Sequence, residues 1–242
     1  MKILVLGSGG VGGYFGARLV EAGANITFFV RKKRAEFINT FGISIKSPHG
    51  DCLVKANTLS IGNKKQSFDL VILTCKAYDL ESSLDDLNLV LSNKPVFLPL
   101  LNGMSHIKFL RNRFGKNKVL AGAAHIASVL TPKNVIKQLN PIQILTIGSI
   151  ESDLVNTAIK FKNICENAKF KTIYAENILQ ALWDKWTFLA TLAGSTCLFN
   201  TCVGEITSSK IGEGLMIKMY EEALKVAEIK NYRVDSKAQK TL

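Results

Sequence analysis

The first part of the chain alternates short, continuous apolar runs with stretches of helical spacing. Such runs predict strands at residues 2–6, 25–30, 68–74, 95–100, 119–125 and 142–147, and a helix at 14–22 that ends at Gly23. Continuous apolar runs suit strands buried on both faces, and their alternation with helices is the pattern of a parallel sheet with crossover connections. Residues 42–61 carry a turn signal at Ser47-Pro48-His49-Gly50-Asp51 and predict an added hairpin or irregular strands. Beyond Leu154 the spacing turns helical at 155–168, with a short extended piece at 170–174, a long apolar helix at 178–198 and an amphipathic one at 212–229. The expected fold class is therefore α/β, a Rossmann doubly wound parallel sheet followed by a smaller all-helical domain. The expected division is 1–165 and 166–242. Two or three helices make a thin core, so the helical domain is expected to be incomplete, through truncation or through completion by a partner.

The first strand runs straight into Gly7-Ser8-Gly9-Gly10-Val11-Gly12, and a helix follows. Glycines at 7, 9 and 12 make a dinucleotide fingerprint, in which the first permits a tight turn, the second lets backbone approach a pyrophosphate, and the third lets helix pack on strand. The pyrophosphate would rest on N–H groups at the helix N-terminus. At the end of the second predicted strand stands Arg31, followed by Lys32, Lys33 and Arg34, where an acidic residue would mark a preference for NAD. A basic cluster there suits a ribose 2′-phosphate, so NADP is the expected cofactor. The same cluster could serve only as solvated charge at a strand end, but the strand–turn–helix context favours the cofactor.

Composition narrows the alternatives. With 47% hydrophobic and 21% charged residues, the sequence suits an ordinary globular protein, and no apolar run is long enough to span a bilayer. Five cysteines without a C-x-x-C pair argue against a disulfide framework and a zinc site, so no metal and a cytoplasmic setting are expected. The net charge of +12 would attract anions, yet the basic residues are scattered without an aromatic-and-basic stripe, which disfavours a nucleic-acid partner. His49, His106 and His125 form no obvious pair.

Ketone reduction by hydride transfer needs a proton donor for the developing alkoxide and groups that stabilise charge on the oxygen. Lys76 follows the third predicted parallel strand and Asn102 the fourth, both at the strand edge where ligands bind in doubly wound sheets. Lys185 sits in an apolar helix between Trp183 and Trp186, surroundings that lower a lysine pKa toward the range useful for proton transfer. Each has a plainer alternative: a surface lysine, an Asn-Gly turn, and an ammonium that snorkels to water.

Taken in order, Gly7–Gly12, Arg31, Lys76-Ala77-Tyr78-Asp79, Leu101-Asn102-Gly103 and Trp183-Asp184-Lys185 followed by Gly204-Glu205-Ile206 resemble the ketopantoate reductase (2-dehydropantoate 2-reductase) family over nearly the whole chain. The resemblance implies a Rossmann domain, a helical domain with the active site in the cleft between them, and NADPH-dependent reduction of ketopantoate in pantothenate and coenzyme A biosynthesis. It places the cofactor on Gly7, Ser8, Gly9, Gly10, Val11 and Gly12, with Arg31 at the 2′-phosphate. Lys76 and Asn102 line the nicotinamide and substrate side, and Lys185 is the general acid. A small anionic 2-oxo acid is the implied substrate and a homodimer the expected assembly. Three positions depart from the family pattern: Leu189, Ala193 and Val203 stand where asparagines are expected to meet the substrate. Losing such groups erodes specificity for a small polar acid and leaves two alternatives, a reductase for a more apolar 2-oxo acid or ketone and a non-catalytic NADP-binding paralogue.

Overall fold

The computed structural model describes residues 1–234, which divide into two compact units, Met1–Ile178 and a second from Leu179 onward. In the first unit, β1 (Lys2–Leu6) leads into α1 (Gly10–Glu21), and β2 (Asn25–Phe29) into α2 (Lys32–Phe41). Then come β3 (Ile43–Lys46), β4 (Cys52–Val54), β5 (Asn57–Leu59), β6 (Leu70–Leu73), α3 (Leu80–Asn88), β7 (Val96–Pro99) and α4 (Ser105–Phe114). Strands β8 (Ala121–Leu130) and β9 (Val135–Gly148), α5 (Val155–Cys165) and β10 (Lys171–Tyr174) complete it.

Five strands form an all-parallel sheet in the order β5-β2-β1-β6-β7. Alternate residues of β1 feed two separate cores, as the period of a strand requires. Ile3 and Val5 join Tyr14, Phe15 and Phe28, whereas Leu4 and Leu6 join Leu84, Phe97 and Leu110. Burial on both faces is why these strands read as unbroken apolar runs, each such side chain contributing about 1.5–3 kcal/mol. The chain leaves β1 toward β2 on one side and returns to β6 on the other, so the order reverses between β1 and β6. Ligands bind at such a switch point, outside the C-terminal strand ends.

The strands expected at 119–125 and 142–147 do not extend this sheet. They belong to β8 and β9, an antiparallel pair in a second sheet of order β10-β9-β3-β4, with His125 opposite Ile144. The reason is the connection: a tight turn at Thr131–Val135, with Asn134 at a left-handed φ of 60°, joins the two strands directly, and no crossover helix intervenes. Residues 42–61 do make a hairpin, β3 with β4, while β5 crosses to the parallel sheet. A buried polar cluster locks α1 onto the second sheet: the Tyr14 hydroxyl lies 2.8 Å from Oε1 of Gln138 and 2.5 Å from Oε1 of Gln143, and Ser47 Oγ donates to Gln138 at 2.6 Å.

The second unit is helical: α6 (which begins at the boundary, Ile178–Phe199), α7 (Val203–Thr207) and α8 (Lys210–Ile229). Ser209 caps α8 by accepting from the Gly212 N–H at 3.0 Å. Trp183 stacks on Tyr232 at 5.7 Å, and Gln180 donates to the Arg233 carbonyl at 3.1 Å, tying the chain after α8 back to α6. No helix among the described residues is long and apolar enough to cross a membrane.

Candidate functional site

A cavity of about 510 Å³ opens at the C-terminal ends of β1, β2 and β5. Leu6, Gly7 and Ser8 line it together with Arg31, Lys32 and Arg34, and so do Asp79, just before α3, and Ser82 and Asp86 on α3. Of the predicted cofactor residues, Gly7, Ser8 and Arg31 line this cavity, whereas Gly9, Gly10, Val11, Gly12, Lys76 and Asn102 do not. The phosphate loop is pinned at both sides, by the Gly7 N–H donating to the Phe29 carbonyl at 3.0 Å and by Thr74 Oγ1 donating to the Leu6 carbonyl at 2.7 Å.

The glycines themselves test whether the loop fits a dinucleotide. Gly7 adopts φ +96°, which L side chains rarely do. A Cβ on Gly12 would fall 2.1 Å from Thr74 Oγ1 and 2.6 Å from the Gly7 carbonyl oxygen, so close helix–strand packing alone requires that glycine. Gly9 is different. Its φ is ordinary for an N-cap, and no other atom of the described residues lies within 4 Å of a Cβ placed there. Nothing in the folded chain demands glycine at 9, and its backbone is left open to a group approaching from outside. Helix α1 offers such a group its N-terminus, with Gly9 as a cap that has no side chain and no acidic residue in the first turn to offset the dipole. The donor set fits a pyrophosphate.

Arg31 is the N-cap of α2, extended at φ −61° and ψ 148°, with an exposed side chain that makes no capping bond. Lys76 and Asn102 lie just past the ends of β6 and β7, which are neighbours in the sheet, so both stand at the switch-point edge as expected. Asn102 precedes Gly103, whose φ of +82° turns the chain sharply there. Cys75 also lines the cavity, but burial pushes its thiol up, away from the reactive thiolate.

Lys185 belongs to the second unit, on α6. It is half-buried, and burial pushes its ammonium down to about 8. Trp183 and Trp186 meet edge to face at 5.3 Å on the same helix. Leu189 and Ala193 follow Lys185 at one and two helical turns, where an α-helix presents its residues on a common face. The buried hydroxyls of Thr187, Thr191 and Ser195 bond back to carbonyls of their own helix, at 2.9, 3.0 and 2.8 Å. These hydroxyls are spent on the backbone.

Sequence reasoning read Arg34 only as one member of the basic cluster at residues 31–34 and singled out Arg31 alone. Its guanidinium is fixed by Ser8 Oγ at 3.0 Å and by Asn134 Oδ1 at 2.8 Å, so it ties the phosphate loop to the β8–β9 turn. Arg34 stands three places after Arg31, the spacing that puts a side chain on the same helix face, and that spacing was the available signal.

The comparisons with known proteins agree with this architecture. Residues 3–152 match the family described as ketopantoate reductase PanE/ApbA, and residues 177–242 its C-terminal counterpart. An uncharacterized oxidoreductase, YkpB of Bacillus subtilis, is 34% identical over 88% of this chain and 70% of its own length. The 2-dehydropantoate 2-reductase of Lactococcus lactis is 23% identical over 97% of this chain and 76% of its own. Among solved structures, 2-dehydropantoate 2-reductase from Geobacter metallireducens superposes with a TM-score of 0.89 at 20% identity, covering 99% of this chain and 80% of that one. A D-mandelate dehydrogenase with NADH and anilino(oxo)acetate superposes at 0.86 and 19% identity, covering 97% and 76%. These two likenesses concern the fold. The two family matches, which together take in most of the sequence, settle the assignment: this chain is a member of the ketopantoate reductase PanE/ApbA family of oxidoreductases.

Proposed function

We propose that the protein reduces a 2-oxo acid with NADPH, with 2-dehydropantoate (ketopantoate) as the first substrate to try. The observation that carries the reading is Lys185, a half-buried ammonium held near 8 in a family of oxidoreductases. When bound, the cofactor would supply the hydride. The chain's own residues do the rest. Gly9, Gly10 and the start of α1 receive the pyrophosphate, and Arg31 supplies positive charge for a 2′-phosphate. Lys76 and Asn102 orient the nicotinamide and the carboxylate side of the substrate from the ends of β6 and β7. Lys185 gives its Nζ proton to the oxygen of the carbonyl as that oxygen gains charge; a pKa near working pH suits this transfer.

The relatives named 2-dehydropantoate 2-reductase support the ketopantoate assignment and a place in pantothenate biosynthesis. Leu189 and Ala193 support a second reading, a more apolar 2-oxo acid. They lie on the lysine's side of α6 and offer nothing to a hydroxyl. Loss of NADPH absorbance with ketopantoate and with 2-oxo acids bearing apolar side chains, at matched concentrations, separates the two. A higher kcat/KM for ketopantoate supports the first, a higher value for an apolar acid the second, and no turnover with any 2-oxo acid sinks both.

A further inference from the structure

Arg34 carries a cost that the folded chain does not offset. Its Nη2 is shielded from solvent and has no hydrogen-bond partner among the described residues, while Nε and Nη1 are held by Ser8 and Asn134. Burial pushes the guanidinium pKa down, the sign of a cation that has lost water without gaining a counter-charge. No acidic side chain forms an ion pair with it among the described residues. A desolvated cation in this position is stabilised by an anion brought close to it. The residue lines the same cavity as Gly7, Ser8 and Arg31.

Two features locate that anion. Ser8, which Arg34 holds, follows Gly7, and Gly7 is bonded to the last residue of β2. The end of β2 is where a Rossmann fold takes the adenosine ribose, and where an arginine accommodates a 2′-phosphate. Arg31, at that same strand end, is exposed, so its charge is screened by water; the charge of Arg34 acts from a drier setting and is screened less. The guanidinium is restrained further by the Phe37 ring, over which it lies 5.3 Å from the centroid. Arg34 is thus oriented before any ligand arrives, and Arg31 has no such restraint in its capping geometry.

We propose that Arg34 is a specificity-determining residue for the cofactor. It acts as the pre-positioned cation that selects a 2′-phosphorylated dinucleotide, with Arg31 as its solvent-facing companion. This rests on the reading of the cavity as an NADPH site.

The test is equilibrium binding of NADPH and NADH, followed by quenching of protein fluorescence, to the wild-type chain and to Arg34→Gln, Arg34→Lys and Arg31→Gln. Arg34→Gln should weaken NADPH by roughly ten- to hundred-fold and leave NADH within about twofold. Arg34→Lys, which keeps the charge and loses the fork, should recover part of the loss. Equal weakening of both cofactors would overturn the proposal, since a residue that only shapes the Ser8 loop would act on the shared pyrophosphate. So would unchanged NADPH binding by a folded Arg34→Gln. A wild-type chain that binds NADH as tightly as NADPH would defeat the NADPH reading itself. A wild-type preference that disappears in Arg31→Gln but persists in Arg34→Gln would leave that reading standing and remove Arg34 from it.

Discussion

The two units hold their chemistry in different ways. In the first, function is written into backbone: a loop at φ +96°, a helix end without a side-chain cap, and glycines whose neighbours lie closer than a methyl group allows. In the second, the proposed chemistry rests on one side chain, Lys185, carried by a helix whose buried hydroxyls are turned back onto its own carbonyls. Backbone sites tolerate few substitutions, and side-chain sites can be retuned one residue at a time. Leu189 and Ala193 fit a substrate side that has been retuned in this way while the cofactor side stayed fixed.

The contrast can be broken most severely at Lys185. If Lys185 is the acid proposed above, Lys185→Ala should lower kcat by about 10²–10⁴-fold, the usual worth of a positioned acid, with NADPH affinity unchanged by fluorescence titration. A parallel loss of cofactor affinity would show that the two units do not divide the labour as described.

Gly9 and Gly12 give the next effect, as a pair of opposites. Gly9→Ala should leave thermal stability within about 0.5 kcal/mol, yet weaken NADPH tenfold or more, equivalent to about 1.4 kcal/mol. Gly12→Ala should cost about 1–3 kcal/mol in denaturant unfolding, because the new methyl meets Thr74 and the Gly7 carbonyl in the empty protein. If Gly9→Ala unfolds as readily as Gly12→Ala, the space above Gly9 is structural.

A pH profile sharpens the view of Lys185. The ammonium is the form that donates, and with its pKa lowered to about 8 it is charged below that pH and neutral above it. Ketone reduction should therefore be flat below pH 8 and fall about tenfold per unit above it, with alcohol oxidation showing the opposite limb. A reduction limb near the ordinary lysine value would mean the side chain is solvated. The smallest effect is expected at Leu189→Asn, which should raise kcat/KM for ketopantoate relative to an apolar 2-oxo acid by about tenfold or less, measured by competition.

Much of this was legible before any coordinates. Lys2–Leu6 and Leu70–Leu73 are buried on both faces, so their runs are unbroken and unmistakable, and the glycine spacing that follows Lys2–Leu6 is a local motif even though the contact that requires Gly12 comes from distant Thr74. The β8–β9 pair was only half legible. Val129, Leu139 and Ile142 are exposed, which breaks the alternation over the outer halves of both strands and hides the turn that makes them antiparallel. Arg34 was legible only as part of a basic cluster, for a related reason. Its placement depends on Asn134, a hundred residues away, and in a chain with 31 basic residues the cluster alone does not rank it above its neighbours. Helix α7, five residues long, gives no periodicity to read.

The contacts of Tyr14 have a consequence for how a ligand can leave. An α-helix that slips by one residue turns its side chains by about 100°, and here that would strand a hydroxyl and two amide groups in a dry interior. The helix proposed to receive the pyrophosphate is thus keyed like a shaft in its bearing, and it cannot creep in small increments. Departure of a dinucleotide must come from hinging of the seven-to-nine segment or from peeling of the nucleotide itself. Loosening the key, for instance through Gln143→Leu on a strand that does not line the cavity, would register as a faster off-rate.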